Sequence, residues 1–325
     1  MITWKSILNN FIKDSNRMEV EHSLDPLRSY VMDQNYYRLE SHRLDRLHKY
    51  SVKRDQKVLR SETSARIIQV NEQERLVVVI LRVNKRWEYD NGKDSEQVYL
   101  EQLTFTYRRG EWVITKIDRV QSERSPRPAS FAEQEQQKLA QPYINRAVLS
   151  NRSEAIRAIP YHRQLAVNYA NKWWNMANPA YEHFDVDCTN FVSQCLFAGG
   201  APMNYTGRRE TGWWYEGYEH GRERWSFSWA VANSLQLYLQ SSHSGLHTVT
   251  VDSARKLALA DIISYDWDGD TRYQHSAIVT GFTPSGEPLV NAHTNDSRDR
   301  LWDYKDSYAW SERTRYTFVH IPDIL

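Results

Sequence analysis

FDVDCTNFVSQCLFAGG, residues 184–200, holds both cysteines of the chain, Cys188 and Cys195. Phe191, Val192, Cys195 and Leu196 follow Cys188 at the spacing of one helical face, and Gly199-Gly200 provide the stop. A helix from Cys188 therefore puts Cys195 in a buried stripe, where it serves as a small core residue. Cys188 falls in the first turn, directly after Asp187, a residue suited to capping the unpaired N–H groups there. Those N–H groups and the helix dipole predict a thiol pKa below the ordinary value. The Cys188 N–H, supported by Asp187 and Thr189, is a candidate oxyanion donor. A disulfide is excluded, since seven helical residues separate the two Cα atoms by roughly 10 Å. No partner ligands stand at zinc-finger spacing, so no metal is expected. Structural thiol and nucleophile both remain open on these residues alone.

A nucleophilic cysteine needs a base and a group to orient that base. His275 opens the apolar run HSAIVTGF after a polar turn, which predicts a half-exposed histidine at a strand end. In the next strand, PLVNAHT, Asn291 and His293 are two apart and share a face. His293 is the first candidate orienter and Asn291 the alternative. Thiolate, imidazole and orienter have the logic of acyl transfer through a thioester.

Moving outward, the 325 residues suffice for two domains. With 42 basic and 41 acidic residues the net charge is +1, which points to neither nucleic acid nor an anionic membrane as partner. No apolar segment reaches membrane-spanning length, and the N-terminus lacks a secretory signal run. The expectation is a cytoplasmic protein, unless a non-classical route exports it. At the N-terminus Trp4, Ile7, Leu8, Phe11 and Ile12 mark an amphipathic helix, and a second helix is predicted over 26–49. Long strands follow, with a hairpin turn at Arg109-Gly110. Residues 1–120 thus form a smaller α+β domain, similar in element order to the NTF2-like superfamily. Residues 121–155 are a linker, QSERSPRPAS, and a spacer helix; residues 156–325 form the second domain. A further helix over 225–242 puts Val231, Leu235 and Leu239 on one face. Asp266–Asp270, DWDGD, has the spacing of a calcium-loop start but lacks the closing glutamate, so it reads as a polar hairpin turn. Nine of the 12 tryptophans lie beyond residue 150, and Trp213, Trp214 and Trp229 are candidates for lining a substrate groove.

The motifs FDVDCTNFVSQCLFAGGAPM, GWWYE, WSFSWAVANSL, ADIISYDWDGD and HSAIV, in this order, resemble the bacterial "putative amidase" domain family over about residues 160–321. That family is grouped with papain-like cysteine hydrolases and is related to NlpC-type and CHAP-type cell-wall peptidases. The resemblance implies a papain-like, NlpC-like α+β domain with helices packed on an antiparallel sheet. It implies Cys188 as nucleophile, His275 as base and His293 or Asn291 as the third group, with no cofactor. Gln274 stands where the family pattern commonly has an Asp before the histidine. The implied function is hydrolysis of an amide or peptide bond, on a peptide substrate of cell-wall type and peptidoglycan-derived. The rivals are a catalytically silent glycan- or peptide-binding module of the same fold and an acyltransferase using the same cysteine.

Overall fold

In the sequence WKSILNNFIKDSNRMEVE, apolar residues recur every three to four positions, and this stretch is the first helix of the computed structural model. The structure describes residues 3–54, 56–120, 122–124, 159–219, 222–241 and 245–325. Most of the predicted linker and all of the predicted spacer helix lie outside the described residues.

The chain divides into two compact units. The first comprises residues 1–122 with two short returns, 283–285 and 303–310. In it, α1 (Trp4–Glu21) starts at Thr3, whose side chain accepts from the Ser6 N–H. Its Trp4, Ile7, Leu8 and Phe11 are buried. Helix α2 (Gln34–Arg54) starts eight residues later than expected, because Asp25–Leu27 form a separate 3-10 turn containing Pro26. Strands β1 (Val58–Gln73), β2 (Leu76–Tyr89), β3 (Asp94–Arg108) and β4 (Glu111–Arg119) make an antiparallel meander. Arg109 and Gly110, both at positive φ, close its last hairpin, as the turn residues predict. Beneath the apolar core, Arg43 pairs with Glu19 at 2.7 Å and Glu40 at 2.8 Å, and Lys85 pairs with Glu19 at 2.9 Å.

The second unit holds residues 123–282, 286–302 and 311–325. Its helices are α3 (Arg163–Trp173), α4 (Cys188–Ala198), a short α5 (Phe227–Ala230) and α6 (Ala232–Ser241). The last two replace the single helix expected over 225–242. Val231, in extended backbone and 42% exposed, separates them and is not on the buried face. A small hairpin pairs β5 (Tyr215–Glu219) with β6 (Arg222–Trp225). The main sheet of the unit runs in the order β11 (Asp296–Leu301), β10 (Pro288–Ala292), β9 (His275–Phe282), β8 (Ile262–Asp266), β12 (Arg315–His320), β7 (Val249–Val251). Its pairings are antiparallel, so the class is α+β. The DWDGD turn is organised by one carboxylate. Asp266 Oδ1 accepts from the N–H groups of Asp268, Gly269 and Asp270, and Oδ2 from Thr271.

The strand register decides which side chains meet. Ile262 lies opposite Ile278, Ser264 opposite Ser276, and Tyr265 opposite His275. Neighbours along a strand point to opposite faces. Ile262, Ile278 and Val319 join Phe191, Val192 and Cys195 of α4 in the core, which assigns α4 and Ser276 to one face. Tyr265 and His275 take the other.

Candidate active site

Cys188 is 2% exposed at the start of α4, and Cys195, one stripe further along, is 0% exposed. The Cys188 sulfur stands 3.7 Å from Thr189 Oγ1, which lies 3.3 Å from Ser276 Oγ. The Ser276 N–H and the Thr294 hydroxyl also bond to the sulfur. Ser276 directly follows His275 and Thr294 directly follows His293. The thiol therefore sits at the junction of the α4 start, the β9 start and the β10 end, with a histidine one residue away on each strand side.

Burial raises the Cys188 pKa, and the Asp187 carboxylate adds to the effect. The Ser276 N–H and the Thr189 and Thr294 hydroxyls oppose it without prevailing. This reverses the expected lowering, because withdrawal from water penalises the thiolate more than the helix start favours it. Asp187 also does not cap α4 with its side chain. Its carboxylate accepts instead from Asn190 Nδ2 at 2.8 Å, the Phe184 N–H at 3.1 Å and His293 Nδ1 at 2.8 Å. Although burial opposes ionisation, His183 and His293 hold the Asp187 pKa down at about 2.

The His293 ring stacks on Phe191 with centroids 4.1 Å apart. Nδ1 meets Asp187 and Nε2 meets the Trp173 carbonyl at 2.7 Å. Burial works against its charge, but Asp187, Asp296 and the Trp173 carbonyl outweigh it and raise the pKa. With both nitrogens occupied by acceptors, His293 ties α3, α4 and β10 together and does not orient His275 as expected. Asn291 is committed too. Its Oδ1 accepts from Thr280 Oγ1 and the Asp299 N–H, and its Nδ2 donates to Asn171.

His275 is 0% exposed rather than half-exposed. Its ring stacks on Trp267 at 5.8 Å and tilts against Tyr265 at 5.2 Å, on the face away from α4. The Trp267 indole N–H donates to the Glu123 carbonyl at 2.9 Å, and the Glu123 carboxylate pairs with Arg300 at 2.6 Å. Burial pushes the His275 pKa down to about 4; Glu123 favours the cation and Arg300 opposes it. Glu123 was missed because it lies in the charge-rich QSERSPRPAS stretch read as linker. Only its burial, at 7% exposure, and its pairing reveal it.

The groove assigned to tryptophans is also corrected. Trp213, Trp214 and Trp229 are each 0% exposed and pack inside the unit. Trp229 Nε1 donates to Asn190 Oδ1 and Trp213 Nε1 to Ser193 Oγ, so their polar ends are satisfied internally.

A pH effect on stability follows from His275. Folded, it stays neutral down to about pH 4, whereas the unfolded chain takes up the proton near 6.5. Between those values the unfolded state binds more protons, so stability rises with pH and falls on acidification. The full window is worth about 3 kcal/mol. Urea midpoints measured at pH 7 and pH 4.5 should separate less in His275→Asn than in the native chain. Equal separations would contradict the neutral buried imidazole.

Residues 160–319 match the model of the family described as "Putative amidase domain". The uncharacterized protein YhbB of Bacillus subtilis (strain 168) is 49% identical over 167 residues, covering 51% of this chain and 52% of that one. The uncharacterized protein YjcM of the same organism is 30% identical over 129 residues, covering 37% of this chain and 28% of that one. The chain thus spans about half the length of the first relative and just over a quarter of the second. Among solved structures, a type 2 hexachlorocyclohexane dehydrochlorinase (LinA) aligns over 35% of this chain and 82% of its own, at 9% identity and a TM-score of 0.26.

Proposed function

We propose that residues 160–319 hydrolyse an amide or peptide bond through a thioester on Cys188, with a papain-like division of labour and a cell-wall-type peptide as substrate. The observation that carries this is the placement of a buried thiol at a helix start, bonded to the N–H that follows His275. The amidase-family match over the same residues supports it.

The chemistry begins from a neutral pair. The thiol pKa is raised and the imidazole pKa is about 4, so at pH 7 Cys188 is protonated and His275 is an unprotonated base. In the described conformation the His275 ring lies on the face away from the sulfur. The proposed step therefore requires the β9 start to turn the imidazole toward Cys188, where it takes the thiol proton as sulfur attacks the carbonyl carbon. The carbonyl π electrons move to oxygen, where the Cys188 N–H and its neighbours at the α4 start stabilise the charge. Collapse breaks the C–N bond, and the imidazolium returns its proton to the leaving amine. Water, deprotonated by the same imidazole, then attacks the thioester carbonyl; the C–S bond breaks, the acid is released, and the imidazolium returns its proton to the Cys188 sulfur. Glu123 favours the imidazolium formed midway, while its ion-pair partner Arg300 opposes it. In this account Glu123 replaces His293 as the group that supports the base.

Burial of the thiol favours one rival, a module that keeps the fold without turnover. Amine release from purified stem peptides of peptidoglycan separates the two. The native chain should release amine, and Glu123→Gln should lower kcat with little change in KM while shifting the acid limb of the pH profile. Absence of release from every such peptide would reject the cell-wall hydrolase.

A neutral resting thiol has a second consequence. Iodoacetamide should alkylate Cys188 more slowly than free cysteine at pH 7, with the rate climbing only above the ordinary thiol value of 9. Fast labelling at pH 6 would mean a preformed thiolate and refute the neutral pair.

A further inference from the structure

Beside the loop that leads into Cys188 lies an exposed arginine resting over aromatic rings. The Arg209 guanidinium is 3.8 Å from the Trp225 ring centroid and 5.2 Å from that of Phe227. Trp225 meets Phe184 edge-on at 5.0 Å. The Phe184 N–H donates to Asp187, the residue before Cys188. A continuous set of contacts therefore links the guanidinium to the thiol-bearing turn.

Two features set Arg209 apart from an ordinary surface arginine. Its neighbours spend their charge on acids, Arg208 near Glu210 at 4.0 Å and Arg224 on Glu216 at 3.0 Å. Among the described residues, no carboxylate lies within ion-pair distance of Arg209, Asp185 included. Its backbone is also fixed. The Arg209 carbonyl accepts from the Phe227 N–H at 2.7 Å, and Thr206 Oγ1 donates to the Thr211 carbonyl at 2.8 Å. Gly212 closes the loop at φ +75°, where a Cβ would stand 2.1 Å from the Asn204 carbonyl oxygen, so only glycine fits.

We propose that Arg209, preorganised on Trp225 and Phe227, is a subsite for a carboxylate carried by the amide substrate. This rests on the amidase reading and narrows it: the substrate class is an anionic peptide with a free carboxylate flanking the scissile bond. The guanidinium rests over the Trp225 ring with Phe227 nearby, and its planar fork of N–H groups matches the two oxygens of a carboxylate.

The test is calorimetric binding to Cys188→Ala of a tripeptide containing L-alanyl-γ-D-glutamate, in two forms. One carries a free α-carboxylate and the other carries its carboxamide. The free acid should bind about tenfold tighter. Arg209→Ala should erase that preference, and Arg209→Lys should keep only part of it because the planar fork is lost. Equal affinity for the two forms, a preference unchanged by Arg209→Ala, or no saturable binding of either form would each overturn the subsite. Amine release by the chain with native Cys188 is read in parallel. Turnover without carboxylate preference sinks the subsite alone, and preference without turnover sinks the amidase reading alone.

Discussion

Cys188→Ala is expected to abolish amide hydrolysis, lowering kcat/KM by at least about 10³-fold, while Cys195→Ala leaves it nearly intact. The two sulfurs are a natural internal control. Both are buried and both thiol pKa values are raised by burial. Only Cys188 has polar partners converging from three elements, whereas Cys195 is packed among Phe191, Leu196 and the core tryptophans. Removing one sulfur from either site should cost no more than roughly 1–2 kcal/mol, so both variants should fold and the comparison reads chemistry. The measurement is steady-state amine release alongside a thermal melt. Equal loss in both variants would point to damage of the core, and equal retention would dismiss the nucleophile.

The largest effect on folding is expected at Trp229→Ala, a loss of about 3–5 kcal/mol. Trp229 sits among Trp213 at 5.0 Å, Tyr215 at 5.4 Å and a stacked Tyr181 at 6.1 Å. Its indole N–H satisfies Asn190, and its own carbonyl accepts from Ser193, both on α4. Alanine would leave a cavity that these large rings cannot collapse into, and it would orphan Asn190 Oδ1 inside the core. Trp229→Phe should recover much of the packing but keep the cost of the orphaned acceptor, about 1–3 kcal/mol. Urea unfolding of the three proteins ranks them. A Trp229→Ala loss below about 1 kcal/mol would return these rings to the groove-lining role that the sequence suggested.

Elements with a clean period were readable from residues alone. The helix at Cys188, the strand at His275 and the Arg109-Gly110 turn all follow from local spacing, because local geometry decides them. What local spacing cannot carry is burial. A thiol at a helix start reads as acidic until the sheet beneath it removes the water, and three tryptophans read as a groove until they are packed against one another. Partners distant in sequence were illegible for a related reason. Glu123 approaches His275 across about 150 residues, from a stretch whose charge and prolines look like linker. His293 and His275 are paired by motif, yet strand parity and the Asp187 carboxylate take His293 elsewhere.

The most direct test of the central claim is intact-mass analysis after rapid acid quench of the protein with a stem peptide in excess. The predicted result is an acyl adduct that maps to the peptide containing Cys188, disappears in Cys188→Ala and builds up in His275→Ala only if deacylation is slowed more than attack. No adduct on Cys188 during demonstrable amine release, with Cys188→Ala turning over at the native rate, would contradict the account.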